Sequence, residues 1–167
     1  NVTSAISGSG TSSITGIYLG SLVSNLTVSG NTIQSVSNTL ATGSGARGII
    51  ANSEAAGIVI ANNMISDIFC FAGTNSGGTN WPVGIHVELA LATVRVYHNS
   101  VNLYGSHPGV NGVSGSAAMV VGGGVSSIDL RGNVFANSYD NSTVGTETPF
   151  AINATNDVEI AGRINWN

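Results

Sequence analysis

Apolar and polar residues alternate along this chain in short bursts, and the bursts repeat. In VRVYHNSVNLY at 94–104, Val94 and Val96 alternate with other residues up to Asn99, and the pattern resumes at Val101 and Leu103. The same phrase reads LTVSGNTI at 26–33, IVIANNMI at 58–65 and IDLRGNVF at 128–135. A degraded copy, VEIAGRI, lies at 158–164, and a tail-end copy, NVTSAI, at 1–6. The anchor positions are Asn1, Asn31, Asn63, Asn99, Asn133 and, in place of asparagine, Arg163, at spacings of 30, 32, 36, 34 and 30 residues. A second phrase precedes each anchor after the first: GIYL at 16–19, GIIA at 48–51, GIHV at 84–87, AMVV at 118–121 and AIN at 151–153. Each unit therefore holds three strand-like pieces: the Gly-Ile piece, the β-branched alternating piece, and the piece running on from the asparagine.

Period-two alternation, Val and Ile enrichment and frequent Gly or Asn argue for strands rather than helices. Looser stretches at 38–45, 72–82, 107–115 and 141–148, rich in Gly, Ser, Thr and Asn, read as loops. A two-layer sandwich also uses many short strands. It does not require every third strand to resemble the first, whereas a solenoid does, because equivalent strands stack into one parallel sheet. The expected fold is an all-β, right-handed parallel β-helix of about five coils with three short strands per coil. At ~4.8 Å per coil it makes a rod of roughly 25 Å. Stacking places Ile17, Ile49, Ile85, Met119 and Ile152 in one interior column. Val28, Ile60, Val96, Leu130 and Ile160 form a second, and Ile33, Ile65, Val101, Phe135 and Ile164 a third. The anchor asparagines Asn1, Asn31, Asn63, Asn99 and Asn133 are expected at a corner, taking the left-handed backbone conformation themselves and forming an amide ladder along the axis.

These units resemble those of right-handed parallel β-helices, the fold of pectate-lyase-like proteins. VRVYHNSVNLYGS at 94–106 and SAAMVVGGGVSSIDLRGNVFANS at 116–138 are more narrowly similar to repeats in very large bacterial cell-surface proteins exported by the type IX secretion pathway. That resemblance implies an extracellular, surface-attached, structural or adhesive rod within a longer polypeptide. Residue 1 falls on an anchor, and Ile164 and Trp166 end the chain without the polar cap an open solenoid end needs. The expectation is one β-helix domain over 1–167, a segment of a longer chain. Its partners would be further coils or copies of itself stacked end to end, with a glycan or surface ligand also open to it.

Composition narrows the function classes. Only 7% of residues are charged, against the usual ~25%, and the net charge is −4 with no lysine, so nucleic-acid and anionic-membrane binding are disfavoured. Hydroxyls and amides must carry solubility, a surface common on extracellular bacterial proteins. No apolar run, that at 55–61 included, approaches the ~18 residues of a membrane helix. The lone Cys70, within DIFCF, reads as a buried small hydrophobe.

For catalysis the sharpest candidate is the pair Asp129 and Glu159, facing outward on neighbouring coils of the second sheet. A separation of roughly 5 Å would suit a retaining glycosidase. Against it, Arg95 and Arg131 flank Asp129 and can neutralise it. Gly162-Arg163-Ile164-Asn165 keeps only Arg-Ile of the polygalacturonase Arg-Ile-Lys motif, and no consecutive Asp pair occurs. His86 and Glu88 share one face, but zinc needs three or four convergent ligands. No metal or other cofactor is implied. Tyr18, Ile50, His86 and Val120 should form an outward stripe on the Gly-Ile sheet. The glycines at 122–124 read as a turn between strands. Trp81, at the end of the longest loop, is the candidate for stacking on a sugar ring. The favoured reading is a non-catalytic structural or adhesive segment; the alternatives are a polysaccharide hydrolase or lyase using Asp129 and Glu159, or a glycan-binding module using Trp81.

Overall fold

The structure, a computed structural model, describes residues 6–8, 13–21, 24–39, 44–52, 57–71, 80–90, 93–106, 115–140 and 148–154. Strand β1 (Ile6–Gly8) comes first. The coils then read β2 (Ile14–Leu19), β3 (Thr27–Ser29) and β4 (Thr32–Asn38), followed by β5 (Ala46–Asn52), β6 (Val59–Ala61) and β7 (Met64–Cys70). Next come β8 (Pro82–Ala90), β9 (Val94–Tyr97) and β10 (Ser100–Ser106), then β11 (Gly115–Val125), β12 (Ile128–Arg131) and β13 (Val134–Asp140), and β14 (Thr148–Ala154) follows. Every pairing is parallel and joins strands three apart in this order. The first sheet runs β2-β5-β8-β11-β14, the second β3-β6-β9-β12 and the third β1-β4-β7-β10-β13. This is an all-β parallel solenoid with three strands per coil. It spans about three turns, counted as the coil-on-coil steps in which all three sheets pair, rather than the five coils expected. Ile160 and Ile164, which carried the fifth coil in that expectation, lie outside the described residues.

The register follows the sequence columns. In the first sheet Ile17 pairs with Ile49, Ile49 with Ile85, and Met119 with both Ile85 and Ile152. In the second, Val28, Ile60, Val96 and Leu130 stand in line, and in the third Ile33, Ile65, Val101 and Phe135. These columns fill the interior, with Ile33, Ile49, Ile60, Ile65, Ile85 and Met119 fully buried. A fully buried Ile or Met contributes roughly 1.5–3 kcal/mol, so the columns dominate the stability of the coil stack.

The glycine of each Gly-Ile phrase has a steric cause. The pairing ladder skips Gly48 and Gly84. A methyl on Gly48 would lie 2.6 Å from Ile65 Cγ2 and 2.6 Å from the Gly84 carbonyl oxygen, so no side chain fits.

Strands β5 and β11 are buried on both faces almost throughout, which is why GII and AAMVV read as continuous apolar runs rather than alternations. The expected outward stripe is therefore only partly outward. Tyr18, Ile50, His86 and Val120 do stand in register, but only Tyr18 is exposed. A second apolar cluster, Trp81, Val83, Ala117 and Val120 with Phe150 against it, lies apart from the main core. The glycines at 122–124 also depart from expectation. They lie inside β11, where the register against β8 shifts between Val121 and Gly124 as a bulge absorbs the extra residue. A methyl on Gly122 would come 2.9 Å from the Glu88 carbonyl oxygen, so the bulge lies close against β8.

Candidate functional site

The second sheet presents the candidate catalytic face. In β12, Ile128 and Leu130 point inward, which turns Asp129 and Arg131 outward. Asp129 pairs in register with Arg95 and Arg131 with Tyr97. Arg131 grips the Asp129 carboxylate in a bidentate pair, Nε to Oδ1 at 2.8 Å and Nη2 to Oδ2 at 2.7 Å. The Tyr97 hydroxyl donates to Oδ2 at 2.7 Å, and the Arg131 guanidinium carbon sits 5.5 Å from the Tyr97 ring centroid. The Arg131 hydrogen bonds hold the Asp129 carboxyl below its ordinary pKa despite partial desolvation, with Tyr97 and the charges of Arg131 and Arg95 acting in the same direction. Tyr97 moves up, through desolvation and then through Asp129. A carboxylate with three donors in place is a poor nucleophile, and held ionised it has no proton to give as a general acid. Glu159, its expected partner, lies outside the described residues.

Between the second and third sheets the anchor asparagines stand in single file. The Nδ2 of Asn31 donates to Asn63 Oδ1 at 3.0 Å, that of Asn63 to Asn99 Oδ1 at 2.9 Å, and that of Asn99 to Asn133 Oδ1 at 3.0 Å. The backbone N–H groups of Asn31, Asn63 and Asn99 reach the same oxygens at 3.0, 3.0 and 2.9 Å. The side-chain amides of Asn63, Asn99 and Asn133 also donate back to the carbonyls of Val28, Ile60 and Val96. Asn1 lies outside the described residues.

The corner itself differs from expectation. The left-handed backbone falls one residue earlier, at Gly30, Asn62, His98 and Gly132, with φ of 67°, 55°, 53° and 60°. The bend placed there leaves the next asparagine's N–H and side-chain amide both directed at the adjacent coil's oxygen. At the non-glycine positions Asn62 and His98 this conformation costs roughly 1–2 kcal/mol, offset by the buried amide bonds that follow.

Trp81 does not offer a free ring. It is 3% exposed and stacks on Phe150, with centroids 5.8 Å apart and planes 8° from parallel. The first sheet instead carries a cleft of about 530 Å³ across β2, β5 and β8, with Arg47, Asn52, Asn80 and Glu88 among its walls and Tyr18 at an exposed position. The Arg47 guanidinium donates to the Ser13 hydroxyl. Burial lowers the Arg47 pKa, and the Glu88 carboxylate opposes that. His86, pairing with Ile50 of the cleft wall, is pushed down to about 4 by burial and then by Arg47, so its imidazole is neutral at pH 7. His86 and Glu88 thus sit at the same sheet, but one is a buried neutral ring and the other a cleft wall. Nothing in the repeat pattern marks this cleft; the position of Arg47 in the otherwise apolar phrase ARGII is the one signal that points to it. Among the described residues no helix is long and apolar enough to cross a membrane. Comparison with protein-family models, with curated proteins and with solved structures finds no match to this chain.

Proposed function

We propose that this chain is a non-catalytic structural segment of an extracellular bacterial surface protein, a stiff and weakly charged rod that spaces or builds a filament and leaves its loops open to adhesion. The observation that carries the reading is the asparagine file. Each coil presents the next with the same amide geometry and the same three apolar columns, so one coil is a template for another. Further coils, or copies of the same chain set end to end, are the partners such a cross-section suits. The low charge, and the resemblance read from the sequence at 94–106 and 116–138, are what favour the extracellular setting. A parallel β-solenoid also suits carbohydrate chemistry, but the bidentate hold of Arg131 on Asp129 argues against acid–base catalysis at that face.

Electron microscopy of the native polypeptide, with antibody labelling of intact cells, tests the reading. Elongated particles on the cell surface are expected. A globular native particle, or hydrolysis of any member of a polysaccharide panel that is abolished by Asp129→Asn, would overturn it.

A further inference from the structure

The cleft on the first sheet has a chemistry that the rod reading does not use. In the row formed by Tyr18, Ile50, His86 and Val120, the last three are buried, while Tyr18 is 59% exposed. Its ring edge lies over Gly20, where a methyl would come 3.1 Å from Tyr18 Cε1. An aromatic ring with its surface open to water is a platform for an apolar ligand face.

Arg47, 5% exposed, supplies a guanidinium anchored by the Ser13 hydroxyl, so its donors are fixed in direction. Asn52 and Asn80 add amides that both donate and accept, and Glu88 adds an acceptor. The described walls therefore carry one positive and one negative side chain, with His86 neutral nearby. An anionic ligand meets Glu88, and a cationic one meets Arg47. The group that satisfies the described walls is uncharged, rich in hydroxyls and apolar on one face. The volume, about 530 Å³, falls within the ~300–1,000 Å³ of small-ligand sites.

We propose that this cleft binds neutral pyranose units of a glycan, stacked on Tyr18 and hydrogen-bonded by Arg47, Asn52, Asn80 and Glu88. The site is on the flank of the solenoid and stands whether or not the chain forms filaments. It moves the sugar-stacking role from Trp81, whose ring is packed against Phe150, to Tyr18.

The test is a glycan array of neutral and uronate-containing oligosaccharides, with hits titrated against the full 167-residue chain by calorimetry. At least one neutral glycan should bind, and uronates should bind at least ten-fold more weakly. Tyr18→Ala should weaken the neutral hit ten-fold or more with no change in the urea unfolding midpoint, while Tyr18→Phe retains it. Glu88→Gln, which removes the one negative charge among the described walls, should narrow the gap between neutral and uronate ligands. Absence of any neutral ligand, a preference of the wild-type chain for uronates, or undiminished binding by Tyr18→Ala would each overturn the proposal.

Discussion

Replacing Asn99 by alanine removes four hydrogen bonds from a side chain that is 0% exposed. The four losses are unequal. Asn63 Nδ2 keeps the Val28 carbonyl, and Asn133 Oδ1 keeps the Asn99 backbone N–H. The backbone N–H of Asn63, however, loses the oxygen it points at. A buried donor left unpaired costs about 1–3 kcal/mol, and each of the other three bonds contributes about 0.5–1.5 kcal/mol, so the loss centres on about 5 kcal/mol. That is a large share of the ~5–15 kcal/mol that keeps a domain folded. The control is Asn31→Ala, which removes bonds to Asn63 Oδ1 and to the Ser29 carbonyl. Asn63 Oδ1 retains the Asn31 backbone N–H, so the expected loss is about 1–2 kcal/mol. Urea unfolding followed by circular dichroism at 218 nm (roughly the strand minimum expected of an extended, sheet-rich backbone) measures both. Asn99→Asp refines the comparison, because it keeps an acceptor for Asn63 but buries a carboxylate beside Asn133 Oδ1. Burial raises such a carboxyl's folded pKa, so this variant should gain stability as pH falls. Equal midpoint shifts for Asn99→Ala and Asn31→Ala would refute the idea that the amide file holds the coils together.

Gly48→Ala should cost about 2 kcal/mol by urea unfolding, from the overpacking of its new methyl against Ile65 and the Gly84 carbonyl; a neutral result would mean that glycine is not sterically imposed at this position. Gly30→Ala, at φ 67° with open space around it, should lose about 1 kcal/mol through backbone conformation alone. For His86 the folded value of about 4 lies below the ordinary 6.5, so between those pH values the unfolded chain binds the extra proton. Stability should therefore fall as pH drops from about 6.5 toward 4, by up to about 3 kcal/mol, and His86→Gln should flatten that limb. An unchanged acid limb in the variant would assign it to other groups.

The repeat makes the central architecture legible in the chain itself. Ile17, Ile49 and Ile85 share a phrase, and so do Val28, Ile60 and Val96, so each column is written several times in the chain, and a register error in one coil would be contradicted by the others. The position of the left-handed residue is less legible. Asparagine and glycine both suit that conformation, the phrases place them side by side as GN and NN, and His98 takes the bend in a third coil.

The sequence by itself determined the parallel stacking, the three strands per coil, the interior columns and the single file of asparagines, because each rests on a local pattern that neighbouring coils repeat. Only the tertiary structure decided that Trp81 lies against Phe150, that Ile50, His86 and Val120 are buried on an outward face, and that Tyr18 stands exposed at a cleft with Arg47. The outer face of a strand carries no instruction about what will cover it. Val120 is covered by Trp81 and Phe150, which lie outside the repeated phrases, so periodicity has nothing to say about them.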